Sequence, residues 1–246
     1  MKVVHDLQIQ DRCRGCGLQN ENSFCQLPGK DLERFEALKV TRAYPKGATL
    51  FNEGQPPSAV YMLCQGRVKL STCSPDGKII ILGIAEPGEV LGLSSAINGT
   101  DHETTAEVLD LCQVNYIRST DLLQFIRENP DAGLNAARQL SRNYHTAYLQ
   151  ICSLGLSDSV ADKLAKLFLG WSGNGAGTDG RVHLKNFFTH EEMAEMIGTS
   201  RETVTRALHY FRENELVTLR GSDLLIHDRR RLKAVIGSRC GLRSGM

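Results

Sequence analysis

The chain has 246 residues, 41% of them hydrophobic, enough to bury one large core or two modest ones. Its formal charge of +1 hides an asymmetry: 12 of the 29 basic and 8 of the 28 acidic residues fall from Arg181 onward, a balance of +4 against −3 for the rest. The opening MKVVHDLQIQDRCR carries charges where a signal peptide needs an apolar stretch, and the longest apolar run, Ile79 to Ala85, is far too short to span a bilayer.

A soluble, cytoplasmic protein without membrane contact is expected. In that reducing setting eight cysteines mean metal binding, redox chemistry or buried thiols rather than a disulfide framework. The basic C-terminal part points to a polyanionic partner.

Residues 1 to about 30 read as a polar arm holding Cys13, Cys16 and Cys25 in the pattern C-x2-C-x8-C. Two residues between thiols make a turn that fits both sulfurs to one metal or one cluster edge. Three cysteines leave a tetrahedral set one ligand short. Incidental thiols remain an alternative, as does a thioredoxin-like redox pair, which needs a βαβ context the arm lacks.

Leu32 to Leu38 has a helical pattern, and then strands take over. Gly47, Gly54, Gly66, Gly77, Gly83, Gly88 and Gly92 punctuate the segments ATLFNEG, AVYMLCQG, RVKLSTCS and KIIILGIA, and AEVLDLCQVNYI follows. Pro75-Asp76-Gly77 is a turn, since Pro presets φ and Gly accepts φ > 0. Short, evenly spaced strands predict an antiparallel barrel, roll or sandwich. STDLLQFIREN opens with a Ser/Thr cap and predicts a helix.

From Pro130 to Leu154 small or apolar residues fall at Gly133, Ala137, Leu140, Tyr144, Ala147, Ile151 and Leu154, in alternating steps of 4 and 3. That spacing keeps one seam of a helix facing a partner helix, although a core helix has a similar period. Asn129 can cap it and Pro130 suits its first turn. Its place between a strand-rich half and a helical, basic half makes it a candidate dimer axis that couples a sensor to an effector.

SDSVADKLAKLFLGW predicts a further amphipathic helix capped by Ser157 or Ser159, and SGNGAGTDG a flexible loop with no phosphate-binding signature. In FFTHEEMAEMIGTSRETVTRALHYFRENELV, Thr189 and Glu192 form a capping box, and Met193, Ala194 and Ile197 face inward. Gly198 permits a tight turn, Ser200 caps a second helix, and Val204, Leu208 and Phe211 form its buried stripe. Helix, short turn, helix is the helix-turn-helix layout. Arg201, Glu202, Thr205 and Arg206 share the opposite face, where Arg can take guanine O6/N7 and Glu can accept from cytosine N4. VTLRGSDLLIHD predicts a hairpin wing around Gly221-Ser222-Asp223, and RRRLKAVIG a basic closing helix that meets phosphates or caps the fold.

The order of strand roll, long helix and winged helix-turn-helix, with TSRETVTRAL in the reading helix and PGEVLGL in the roll, resembles the Crp/Fnr family of bacterial transcription regulators. The likeness covers nearly all of the chain from residue 31 onward. It implies an α+β fold: a cysteine-bearing arm over 1–30, a cyclic-nucleotide-binding-type β-roll over 31–128, a dimerisation helix over 129–156 and a winged helix-turn-helix over 157–246. It further implies a homodimer on double-stranded DNA with RNA polymerase as a further partner, and no enzymatic activity. Thr189, Ser200, Arg201, Glu202, Thr205 and Arg206 become the candidate DNA-binding residues. Arg201, Glu202 and Arg206 match the base-reading trio of the cyclic-AMP receptor branch, while Glu202, Thr205 and Arg206 match the Glu-x-x-Ser-Arg set of the oxygen-sensing Fnr branch. A palindrome with a TGA-type half-site core suits both.

The cyclic-AMP branch places Gly-Glu in the phosphate cassette and Arg-Ser further on. Here Gly92 is followed by Leu93, and the second place reads Thr104-Thr105, so cyclic AMP is not the expected effector. The Fnr branch uses three N-terminal cysteines and a distant one in the roll, whose place is taken by Cys112. Cys13, Cys16, Cys25 and Cys112 thus resemble the ligands of an oxygen-labile [4Fe–4S] cluster, with a gap before Cys25 longer than that branch usually has. Cys64 and Cys73 are expected to pack in strands, and Cys152 and Cys240 to be inert. Zinc binding or thiol oxidation in the same regulator is the alternative; a cytosolic thiol oxidoreductase using Cys13 and Cys16 is the reading from outside gene regulation.

Overall fold

The glycine-punctuated half forms antiparallel strands. In the computed structural model, which describes residues 3–4, 7–18, 23–156, 159–172, 181–184, 188–221 and 223–236, two compact units divide the chain at Ala147/Tyr148. Ser157, the loop over 173–180, Ser222 and Cys240 lie outside the described residues.

In the first unit β1 (Val3–Val4) pairs with β2 (Leu7–Gln8), and α1 (Gly29–Leu38) buries Leu32 and Phe35. Then come β3 (Val40–Tyr44), β4 (Thr49–Phe51), β5 (Ala59–Gln65), β6 (Val68–Cys73), β7 (Ile79–Ala85), β8 (Val90–Leu91), the short helix α2 (Leu93–Asn98), β9 (Thr105–Val108) and β10 (Cys112–Arg118). They make two four-stranded antiparallel sheets, ordered β3-β10-β5-β8 and β4-β9-β6-β7.

Both faces of the first sheet are covered, and the two-residue period of each strand decides which side chain goes where. Leu63, Leu91, Cys112 and Val114 face the roll interior with Leu50, Phe51, Val68, Ala106 and Val108. Val60, Met62 and Ile117 face the other way, onto Phe24, Phe35, Leu122, Phe125, Ala132 and Ala136. Phe24, Phe35 and Phe125 form a chain of rings with centroids 5.5 and 5.7 Å apart. Burying each such ring contributes about 1.5–3 kcal/mol.

α3 (Ser119–Glu128) lacks the expected Ser/Thr cap: Arg118 holds the cap position and the Ser119 hydroxyl donates to the Pro57 carbonyl instead. α4 (Pro130–Leu156) follows. The Asn129 side chain does not cap it, because its amide donates to the Phe125 carbonyl at 2.7 Å and its oxygen accepts from Arg34 at 3.3 Å. The buried stripe of α4 is Ala132, Asn135, Ala136 and Gln139. The phenylalanine layer takes Leu140 from the expected seam, whose Ala137, Tyr144, Ala147 and Ile151 are exposed together with Leu134 and Tyr148.

In the second unit α5 (Val160–Trp171) is capped by Ser159, which accepts from the Asp162 N–H. β11 (Val182–Leu184), which the sequence pattern does not announce, pairs with the hairpin strand that follows the two helices of the helix-turn-helix segment. Those helices are α6 (His190–Ile197) and α7 (Arg201–Glu213), and the hairpin is β12 (Val217–Arg220) with β13 (Asp223–Ile226). The sheet order is β11-β13-β12, and α8 (Arg229–Val235) closes the unit. Among the described residues no helix is long and apolar enough to cross a membrane.

Candidate DNA-reading face and cysteine cleft

Local chemistry fixes α6 and α7. Thr189 Oγ1 accepts from the Glu192 N–H and the Glu192 carboxylate accepts from the Thr189 N–H at 2.8 Å, the reciprocal capping box. Gly198 ends α6 at φ 64°, a conformation a side chain resists, and Ser200 then caps α7 by accepting from the Thr203 N–H. Val204 and Phe211 are fully buried and Leu208 nearly so, with the Phe211 ring edge-on to Phe168 of α5. That anchored stripe leaves Arg201, Glu202, Thr205 and Arg206 exposed on the other face.

The polar side chains there are organised. Arg206 Nη2 donates to Thr203 Oγ1 at 3.2 Å, which holds the guanidinium near the start of the helix. The Glu202 carboxyl sits below its ordinary range, because its own backbone N–H and the Ser200 hydroxyl bond its charged form and Arg201 and Arg206 lie nearby. The Thr205 hydroxyl donates to the Arg201 carbonyl at 2.9 Å and meets His190 Nδ1 at 2.9 Å, so it is spent on joining α6 to α7. His190, which no capping or periodicity rule singles out, is therefore a positioning residue. At the far end Asp228 caps α8, and Arg231 donates to the Asn214 carbonyl at 2.9 Å.

The second feature is a cleft on the outer face of the first sheet, lined by Cys13, Cys16, Cys25 and Cys64 together with Gln113 and Asn115. The arm is tied down there. Gln10 exchanges two hydrogen bonds with the Gln113 side chain, both 2.8 Å, and Gln65 donates to the Gln8 carbonyl at 2.9 Å. The Cys16 N–H donates to the Cys13 carbonyl at 3.1 Å, the turn that C-x2-C was expected to make. Burial pushes the Cys25 thiol far up, with the neighbouring sulfurs adding to it, and pushes Cys64 up to about 12. Cys13 is raised by burial too, against the pull of Lys39. The sulfurs line one cleft without being drawn onto a common centre: among the described residues no three Cys, His, Asp or Glu side chains stand in ligating geometry.

Cys112 is not brought to this cleft. It is fully buried in the roll interior, donates to the Arg67 carbonyl at 3.4 Å and fills the space a side chain at Gly66 would need. Burial raises its pKa to about 11.

Residues 41–129 match the cyclic nucleotide-binding domain and residues 162–235 the Crp-like helix-turn-helix domain. The cyclic AMP receptor protein of Thermus thermophilus is 30% identical over 181 residues, 72% of this chain and 79% of that protein. The chain belongs to the Crp/Fnr family. The CRP-like cAMP-activated global transcriptional regulator of Mycobacterium tuberculosis is 28% identical over 77% of this chain and 84% of its own length. The structure of FixK2 from Bradyrhizobium japonicum shares the fold, with a TM-score of 0.70 at 20% identity over 81% of this chain and 98% of that one. Like its family, this protein is a DNA-binding transcription regulator.

In this Crp/Fnr protein the end of PGEVLGL is closely packed. Gly92 takes φ 76°, and a Cβ there would stand 2.9 Å from His102 Cε1. The His102 ring stacks on Phe51 with centroids 3.9 Å apart, and among the described residues its buried Nδ1 has no partner. Leu93 is buried, and the Thr105 hydroxyl accepts from the Glu53 N–H at 3.1 Å. Beside the cassette, Gln139 of α4 clamps Val90 with two buried hydrogen bonds of 2.9 and 2.7 Å. The Phe24 N–H donates to the Gly88 carbonyl, and Asn135 donates to the carbonyls of Phe24 and Gln26, the residues on either side of Cys25.

Proposed function

We propose that this regulator acts as a homodimer on a palindromic site with a TGA-type half-site core, together with RNA polymerase, under the control of an oxygen-sensitive iron–sulfur centre and not of cyclic AMP. The observation that carries the DNA reading is the shared exposed face of Arg201, Glu202 and Arg206 at the capped start of α7. Two guanidinium groups flanking a carboxylate match the guanine and cytosine edges of a major groove. Tyr144 and Ile151 are 74% and 69% exposed on α4, and a second copy of that helix is the cover that suits them.

For the sensor, Cys13, Cys16 and Cys25 share a cleft and supply the soft donors that select iron–sulfur centres or zinc. A [4Fe–4S] centre held there supplies sensitivity to oxygen. The protein's own residues carry the response. Asn135 grips the chain on both sides of Cys25 and Gln139 grips the cassette, so a change at Cys25 shifts the balance of contacts that α4 makes. Where a cyclic phosphate and ribose need an Arg and a Glu, Leu93, Thr104 and Thr105 offer no charge.

Arg206→Ala tests the reading. Titration of specific and random duplexes is expected to show a loss of about 1–3 kcal/mol confined to the specific site. Equal losses on both duplexes contradict a base-reading role.

A further inference from the structure

We infer that the fourth thiolate of the arm's metal centre is Cys64 and that Cys112 takes no part in it. This rests on the reading above that the arm cysteines hold a soft metal, and it names the ligand set.

Strand alternation carries the assignment. On β10, Cys112 and Val114 point into the roll, whereas Gln113 and Asn115 line the cleft under the arm. A strand cannot offer Cys112 to the arm without slipping by one residue, which would turn its whole apolar set onto the wrong face. The absence of a side chain at Gly66 leaves the Cys112 sulfur a seat inside the roll.

β5 presents the opposite parity. Val60 and Met62 face the outer side, and Cys64 joins the same cluster while lining the cleft with Cys13, Cys16 and Cys25. The pairing with β10 shifts register here: Gln113 faces Gln65, and Val114 faces Leu63. Cys64 therefore falls in a bulge, the irregularity that aims a side chain out of an otherwise regular ladder. Asn115 Nδ2 donates to Cys64 Sγ at 3.1 Å, and Asn115 is itself held by the Thr41 hydroxyl at 2.8 Å. An amide N–H aimed at a sulfur is how proteins stabilise a metal-bound thiolate. Four cysteines round one cleft complete the tetrathiolate set that zinc or an iron–sulfur cluster takes, and metal binding would release their protons and draw them together.

The test purifies the full chain without oxygen and measures iron, acid-labile sulfide and zinc per chain in wild type, Cys64→Ser, Cys64→Ala, Cys112→Ser and Cys112→Ala. Thermal melts by circular dichroism confirm folding. Wild type and both Cys112 variants are expected to carry equal metal, and the Cys64 variants to lose at least tenfold. In wild type, iodoacetamide should modify Cys64 only after a chelator strips the metal. Retention of full metal by folded Cys64→Ser overturns the assignment, as does its loss from a folded Cys112 variant or modification of Cys64 at equal rates with and without metal. Wild-type protein that holds zinc alone and loses it on Cys64→Ser upholds the ligand set and removes the iron–sulfur reading. A cluster that depends on Cys112 upholds that reading and removes Cys64. Protein with neither metal removes both.

Discussion

The reading helix and the cysteine cleft are built by different means. Between Thr189 and Arg206 close neighbours fix three of the candidate side chains: Thr189 by Glu192, Ser200 by Thr203, and Arg206 by Thr203. The cleft gathers Cys13, Cys16, Cys25 and Cys64 from an arm and a central strand, and the parity of β5 and β10 decides which sulfur can reach it. A local site can lose one residue and keep its geometry. A site set by sheet parity depends on the whole core that holds the register.

That contrast can be broken most strongly on α4. Ile151→Glu puts a charge on the exposed apolar line and, in a dimer, would bury it unpaired at a cost of about 3–5 kcal/mol. Sedimentation should show a folded monomer with lost palindrome binding; a dimer would place the interface elsewhere. Next in size is Gln139→Ala, which orphans the buried Val90 N–H and carbonyl at about 1–3 kcal/mol each. Chemical denaturation should register that loss.

Asn115→Ala sharpens the sensor side. Without its hydrogen bond to Cys64, metal affinity should fall about 10–100-fold while the melt changes little. A competition titration with a chromogenic chelator measures it, and unchanged affinity would show that Asn115 only packs. On the DNA side Thr189→Ala removes the capping box and should cost about 0.5–2 kcal/mol in stability. Metal content should not move.

How much of each region is legible in the sequence follows from the same contrast. The capping box at Thr189 and Glu192, the Ser200 cap, the Gly198 turn and the Val204, Leu208 and Phe211 stripe are all visible, because every partner lies within one or two turns. The roll is legible as strands, since glycines and turn residues mark its segments. Pairing is harder. β11 gives no signal of its own, and it forms because β13 offers an open edge. Cys112 sits where the family likeness points, but CQVNYI also shows the opposing clue: Gln113 and Asn115 are polar and alternate with the apolar set to which Cys112 belongs. That clue becomes decisive only when the register with β5 is known. On α4 the 4-3 spacing reveals a helix with a seam but not which flank the phenylalanine layer claims, so Leu140 packs against that layer and Tyr148 joins the exposed line.

The central claim is that a cysteine-held centre governs a DNA reader. Its most direct test is the affinity of protein prepared without oxygen for a TGA-type palindrome, measured by fluorescence anisotropy at fixed salt before and after exposure to air. The account predicts tight, specific binding that falls at least tenfold in air in step with the loss of visible absorbance, and with Cys64→Ser weak from the start. Equal affinity before and after air, with Cys64→Ser binding as wild type does, would contradict it.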